Sequence, residues 1–261
     1  MSRYTPEQHE QHAHSVWRDG ITILREHFSP ELIQRWAEAF APMLEEAIGG
    51  APNRGAHRHY VTLPLAAPFA DPGVLADEDI LAIVDRLMGP DPVLCQLATD
   101  TPVLGSDYQA LHRDTPPLFP ETALETPAFQ LAVNFPLCDV TLENGPFETS
   151  RGTHMMARQL ALASIERGEI KLEPVSMRRG DVMIRDVRAI HRGTPNRTAQ
   201  PRPMVVLGYS RRWLWRPEVH IEVPRAVLDS MPQRLQALLR FNPVLDAGER
   251  PDGERYQNFM Y

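Results

Sequence analysis

Lysine is almost missing from this chain: Lys171 is the only one among 27 basic residues. Any buried anion site must therefore be built on arginine, whose planar fork takes a carboxylate through two parallel hydrogen bonds. Cysteine is scarce too, with only Cys95 and Cys138 in 261 residues. Two thiols are no disulfide framework, and they suit a reducing cytoplasm. The chain has no run of about eighteen apolar residues that could span a bilayer. No basic segment leading into an apolar one opens it, as an export signal would. No block of Lys or Arg stands out and the net charge is -7, which argues against nucleic acid as a partner. These absences make a cytoplasmic protein, away from membranes, the expectation.

What is present is enough apolar material for one large core, 43% of the residues, cut by 25 prolines into short segments. Thr5-Pro6-Glu7-Gln8 reads as a helix start, with Thr as N-cap, Pro in the first turn and Gln closing a capping box. That helix ends at Asp19-Gly20, and Ile21–Leu24 follows as a short strand. Ser29-Pro30 opens a second helix, in which Leu32, Trp36, Phe40, Met43 and Ala47 recur at helical spacing up to Gly49-Gly50. Residues 49–75 read as loop, Asp77–Met88 as a helix, and Pro224–Phe241 as a late helix before an irregular polar tail from Asn242. Between them, Val93–Ala98, Phe129–Phe135, Val182–Ile184 and Met204–Tyr209 are short apolar strands separated by Pro/Gly/Asn turns. Such spacing suggests an antiparallel sandwich or barrel. The expectation is one mainly β domain over residues 1–261. Its helical N-terminal part runs to about residue 90, its β core covers about 91–215, and a helix and tail cover about 216–261.

Within that frame one pattern carries chemistry. His112 and Asp114 are two apart, so in extended backbone both side chains leave the same face and can reach one metal ion. His191 would add a second imidazole from a distant strand. Two imidazoles and one carboxylate leave half an octahedron open, the usual ligation of non-haem Fe(II) oxygenases. Taken alone, His112-Arg113-Asp114 fits a surface turn before Pro116-Pro117 equally well. His9, His12 and His14 suit a solvated helix face, and His57 and His59 have no acidic residue nearby. Arg202 opens the strand after His191, close enough across an antiparallel pair to return to the same neighbourhood. A cation beside a metal needs an anion to offset its desolvation, and a dicarboxylate would satisfy both.

These residues, in this order, resemble the phytanoyl-CoA dioxygenase family of Fe(II)/2-oxoglutarate oxygenases. The resemblance runs from Trp17-Arg18-Asp19-Gly20-Ile21 to about Arg212. It includes His112-Arg113-Asp114, the Asn144-Gly145 turn, Gly152-Thr153-His154, Gly180-Asp181, and the step from His191 to Arg202. It implies a double-stranded β-helix, or jelly roll, and Fe(II), 2-oxoglutarate and O2 as cofactor and cosubstrates. It also implies iron binding by His112, Asp114 and His191, and a hold on the distal carboxylate of 2-oxoglutarate by Arg202. Asn134 falls where the family places a side chain against the cosubstrate, and Thr194 is a second candidate for the distal carboxylate. The reaction implied is oxidation of a small organic substrate with release of succinate and CO2. Hydroxylation is the default; desaturation, ring closure and epimerisation are variants. Tyr108, Arg113, Phe119, His154 and Arg185 are candidate pocket-lining positions, each equally consistent with core or surface. No motif names the substrate, but the lack of lysine disfavours a CoA thioester and a natural-product intermediate is the leading expectation. A non-catalytic jelly-roll binding protein and a zinc hydrolase are the rival readings; neither explains Arg202.

Overall fold

The computed structural model of the chain describes residues 2–122, 125–216, 219–249 and 260–261. Its elements run α1 (Pro6–Asp19), β1 (Ile21–Leu24), α2 (Pro30–Gly49), β2 (Arg58–Thr62), α3 (Pro72–Leu75), α4 (Glu78–Met88) and β3 (Val93–Pro102). They continue β4 (Gln130–Pro136), β5 (Phe147–Thr149), α5 (Arg158–Glu166), β6 (Glu173–Val175), β7 (Val182–Asp186), β8 (His191–Gly193) and β9 (Met204–Ser210). Last come β10 (Val223–Pro224), α6 (Arg225–Ser230), α7 (Gln233–Leu238) and β11 (Val244–Leu245). The expected caps are in place. The Thr5 side chain accepts from Gln8 N in a capping box, and Gly20 closes α1 in the left-handed conformation that glycine adopts without a Cβ penalty.

A six-stranded antiparallel sheet in the order β1-β7-β4-β9-β3-β2 faces a three-stranded sheet in the order β6-β5-β8. Alternation along the strands of the large sheet splits its two faces. Leu131, Val133 and Phe135 of β4, Ile184 of β7 and Val205 and Leu207 of β9 join Trp36, Phe40, Val84 and Leu235 from the helices in one apolar core. Edge-on contacts of Trp36 with Phe69 (5.1 Å) and Phe135 (5.2 Å) tie α2 to that face. The opposite residues, among them Asn134, Arg185 and Val206, line a cavity that the small sheet closes with Phe147, His191 and Gly193. The expected jelly roll, a double-stranded β-helix with flanking helices, is borne out.

Three expectations need correction. Residues 49–75 are not all loop: they contain β2, which pairs with β3, and the short α3. Arg58 and Tyr60 share one face of β2, a period of two that glycine and proline on either side conceal. The late helix is two helices. Pro232 pushes Met231 into extended backbone (φ -82°, ψ 153°), which ends α6 and starts α7. The tail is not wholly irregular either, since β11 pairs in parallel with β10. Its residues 250–259 lie outside the described ones.

Candidate metal centre and anion site

His112 and His191 stand directly opposite each other, through reciprocal backbone hydrogen bonds His112 N to His191 O (3.0 Å) and His191 N to His112 O (3.1 Å). The sequence reading placed His112 and Asp114 on a strand. They lie instead in irregular extended backbone, fixed by that single bridge and by Asp114 N donating to Val187 O (3.0 Å). The consequence is the same: Asp114 turns to the side of His112. Arg113 points the other way, into Glu125 (2.7 Å) and the Thr153 carbonyl (2.7 Å).

One donor atom from each of His112, Asp114 and His191 lies within 4.8 Å of the others, and all three residues are buried. Asp114 Oδ1 is 3.7 Å from His112 Nε2 and 3.4 Å from His191 Nε2. Donors about 2.1 Å from a divalent ion and at right angles stand roughly 3 Å apart, so small side-chain movements complete the set. The tautomers also fit. Nδ1 of His112 donates to Ala110 O (2.8 Å) and Nδ1 of His191 to Ala189 O (2.8 Å), which leaves both Nε2 lone pairs facing Asp114. His112 Nε2 and Asp114 Oδ1 are buried without a hydrogen-bond partner, a cost that a metal ion would remove. Burial, then the neighbouring His191, lowers the His112 pKa to about 3, so its imidazole is the neutral, ligating form. Burial opposes ionisation of Asp114, but Arg185 and then His191 hold it well below the usual carboxylate range.

At the other side of the cavity Arg202 is 2% exposed, and its Nε donates to Gly145 O (3.0 Å). Burial first, and then Arg58, lowers its pKa to about 10. Among the described residues no carboxylate pairs with it. Arg58 has one, donating to Asp100 Oδ2 (2.7 Å) and also to Thr194 O (3.0 Å). Arg202, which the sequence reading expected to hold an anion, therefore stands buried in the cavity wall with Gly145 as its hydrogen-bond partner. At Gly145, φ is +86° and an added Cβ would stand 2.8 Å from Thr194 O.

The other expected residues divide. Asn134 lines the cavity, its Nδ2 donating to Val205 O (3.2 Å) and its Oδ1 accepting from Arg185 Nε (3.3 Å). Thr194 is buried at the anion end, with its hydroxyl donating to Pro146 O (2.8 Å). Of the five pocket-lining candidates Arg185 alone lines this cavity. Tyr108 and Phe119 are half exposed, and His154 Nε2 meets Trp17 O (3.0 Å) in a separate hollow. Arg54, Arg58, Tyr60 and Asp100 line the cavity but escaped the sequence reading; the alternation of β2 is a signal for Arg58 and Tyr60 alone, since Arg54 precedes that strand and Asp100 lies in β3.

Comparison with known proteins agrees with this fold. The family model described as Phytanoyl-CoA dioxygenase (PhyH) matches residues 16–204. Dioxygenase FrzG from Cladobotryum sp is 26% identical over 260 residues, covering 88% of this chain and 84% of FrzG. Among solved structures, the non-heme alpha ketoglutarate dependent epimerase SnoN from nogalamycin biosynthesis superposes with a TM-score of 0.62 at 20% identity, over 79% of this chain and 84% of SnoN. HygX from Streptomyces hygroscopicus, with nickel, 2-oxoglutarate and hygromycin B bound, gives a TM-score of 0.60 at 19% identity, over 85% of this chain and 91% of HygX. With its core, its ligand triad and its buried arginine in the order that the family model spans, the chain belongs to the phytanoyl-CoA dioxygenase family of Fe(II)/2-oxoglutarate-dependent oxygenases.

Proposed function

We propose that this enzyme oxidises a small organic molecule, a natural-product intermediate, with His112, Asp114 and His191 as the iron ligands and Arg202 as the anchor of the 2-oxoglutarate distal carboxylate. When bound, Fe(II) with 2-oxoglutarate and O2 supplies the oxidising chemistry, at the expense of the cosubstrate, which leaves as succinate and CO2. The chain's own part is to place the reactants. The two imidazoles and the carboxylate would hold the ion through three donors and leave it positions for the cosubstrate and O2. Arg202 holds one end of the cosubstrate by a charge-assisted contact in a buried setting, and Asn134 stands on the wall between the two ends. Thr194 completes the anion end through its carbonyl on Arg58.

The observation that carries this reading is the pairing of a buried His112 Nε2 and Asp114 Oδ1, neither hydrogen-bonded, with a buried arginine that pairs with no carboxylate among the described residues. Support for the substrate class comes from the cavity, which offers Tyr60 and Phe147 beside Gln96, Gln109 and Gln130, and from relatives named for nogalamycin biosynthesis or solved with hygromycin B. Succinate release from protein, Fe(II) and 2-oxoglutarate is the test. It should be lost in His112→Ala and His191→Ala and kept in His57→Ala, His59→Ala and His154→Ala. Near-native turnover in His191→Ala would refute the assignment.

A further inference from the structure

Arg185 on β7 donates a hydrogen bond to a member of the triad, whereas Arg54 Nη2 stands farther off, 3.8 Å from Asp114 Oδ1. Arg185 Nη2 donates to Asp114 Oδ2 (2.8 Å), the oxygen that faces away from the histidines, so Oδ1 is the one left for the metal. Its Nε points to Asn134 Oδ1 (3.3 Å), and the group lies over the Phe147 ring at 4.9 Å. Ring, amide and carboxylate fix the fork on three sides. Arg185 is 8% exposed and lines the cavity, yet its Nη1 has no hydrogen-bond partner. A buried guanidinium N–H without an acceptor is costly, and a charged acceptor is the natural remedy.

The shared cavity says which acceptor. Arg185 is in register with Ala132 of β4 and Gly208 of β9, whereas Arg202 precedes Met204, where β9 begins, so the two arginines enter the same cavity from separate places along the sheet. A five-carbon dicarboxylate lying in that cavity offers a carboxylate at each end. One end of such a ligand is at Arg202, so the other falls beside the metal and Arg185. We infer that Arg185 is a second carboxylate-binding residue of the active site. It holds Asp114 to one-oxygen ligation through Nη2 and takes an oxygen of the 2-oxo-acid carboxylate of 2-oxoglutarate through Nη1. This rests on the reading of the cavity as the 2-oxoglutarate site.

Binding of 2-oxoglutarate to the Ni(II)-loaded full-length protein, followed by calorimetry, tests the inference without turnover. In Arg185→Gln the Kd for 2-oxoglutarate at saturating Ni(II) should rise about tenfold to a hundredfold. Ni(II) affinity measured without 2-oxoglutarate should change by less. Arg185→Lys keeps the charge but not the fork, and should fall between Arg185→Gln and the native protein; it decides the matter if Arg185→Gln fails to fold. If Arg185 merely supports Asp114, Ni(II) affinity drops and saturating Ni(II) restores native 2-oxoglutarate binding, which overturns the inference. A Kd within twofold of native in both variants overturns it as well. Absence of Ni(II)-dependent 2-oxoglutarate binding in the native protein sinks the reading of the cavity itself, and the inference with it.

Discussion

A guanidinium that is 2% exposed, lies beside Arg58 and has no carboxylate of its own among the described residues is unfavourable to bury. Its retention makes sense as a site for an anionic ligand. Replacing it with Ala removes a charge-assisted contact worth about 2–3 kcal/mol. Arg202→Ala should therefore raise the KM for 2-oxoglutarate roughly ten- to a hundredfold; an unchanged KM would move the anchor to another arginine. Gly145 gives a subtler handle on the same contact. Its carbonyl accepts from Arg202 Nε, and neither its φ of +86° nor the 2.8 Å approach to Thr194 O leaves room for a Cβ. Gly145→Ala should shift that carbonyl and raise the same KM severalfold while Ni(II) binding stays native. Equal affinity for 2-oxoglutarate in Gly145→Ala and native protein would show that the turn plays no part in setting Arg202. Gly193 makes a comparable point beside Arg58, whose guanidinium would stand 2.4–2.5 Å from an added Cβ.

Among the elements, α4 is fixed to the start of the chain through a single buried charge. Asp79 in its first turn accepts from Ser2 Oγ, from Arg3 N (2.9 Å), from Tyr4 N (3.4 Å) and from His9 Nε2 (2.7 Å), so it ties the start of the chain and α1 to α4. Burial works against its charge, but these donors outweigh it and lower the pKa to about 2. A depressed carboxylate stabilises the fold fully above its unfolded value near 4 and loses that contribution as pH falls towards 2. Asp79→Ala should cost about 1–3 kcal/mol, seen as a lower Tm at pH 7, with the gap to the native protein narrowing below pH 4. The KM for 2-oxoglutarate should not move. A native Tm in the variant would mean that these hydrogen bonds contribute nothing net. Elements of this kind were readable from the sequence wherever local chemistry sets them: the cap at Thr5, the glycine after α1, the strands ending at turn residues. Arg58 and Asp100 were not, because their meeting depends on the register of β2 against β3, 42 residues apart in the chain, and no local pattern encodes that. Of the candidate triad, His112 and Asp114 were readable from their two-residue spacing, whereas His191, far along the chain, entered with the family resemblance. Arg185 was only a candidate, since its role comes from the oxygen of Asp114 that it meets.

At the scale of the whole molecule, the division of the sequence into a helical part before about residue 90 and a β core after it does not match how the large sheet is built. Its two outermost strands, β1 and β2, both come from the first part, β1 against β7 and β2 against β3. The Gly180-Asp181 turn is where the two parts lock. Phe28 N donates to Gly180 O (2.9 Å), a Cβ on Gly180 would stand 2.6 Å from Phe28 O, and Asp181 accepts from Arg25 Nη1 (2.6 Å) and Glu26 N (2.9 Å). The apolar face of the sheet depends on α1, α2 and α4 as well, since Val16, Trp36, Phe40 and Val84 belong to the same core as Val133 and Leu207. A fragment of residues 91–215 would therefore present two unpaired edges and an uncovered apolar face, both routes to aggregation. The full chain should unfold in one cooperative transition by circular dichroism, whereas that fragment should be insoluble or melt without cooperativity. A soluble, monomeric fragment with a sharp transition within a few degrees of the full chain would show that β7, β4, β9 and β3 hold without their outer partners. The candidate iron site would then belong to a smaller folding unit than the sheet order implies.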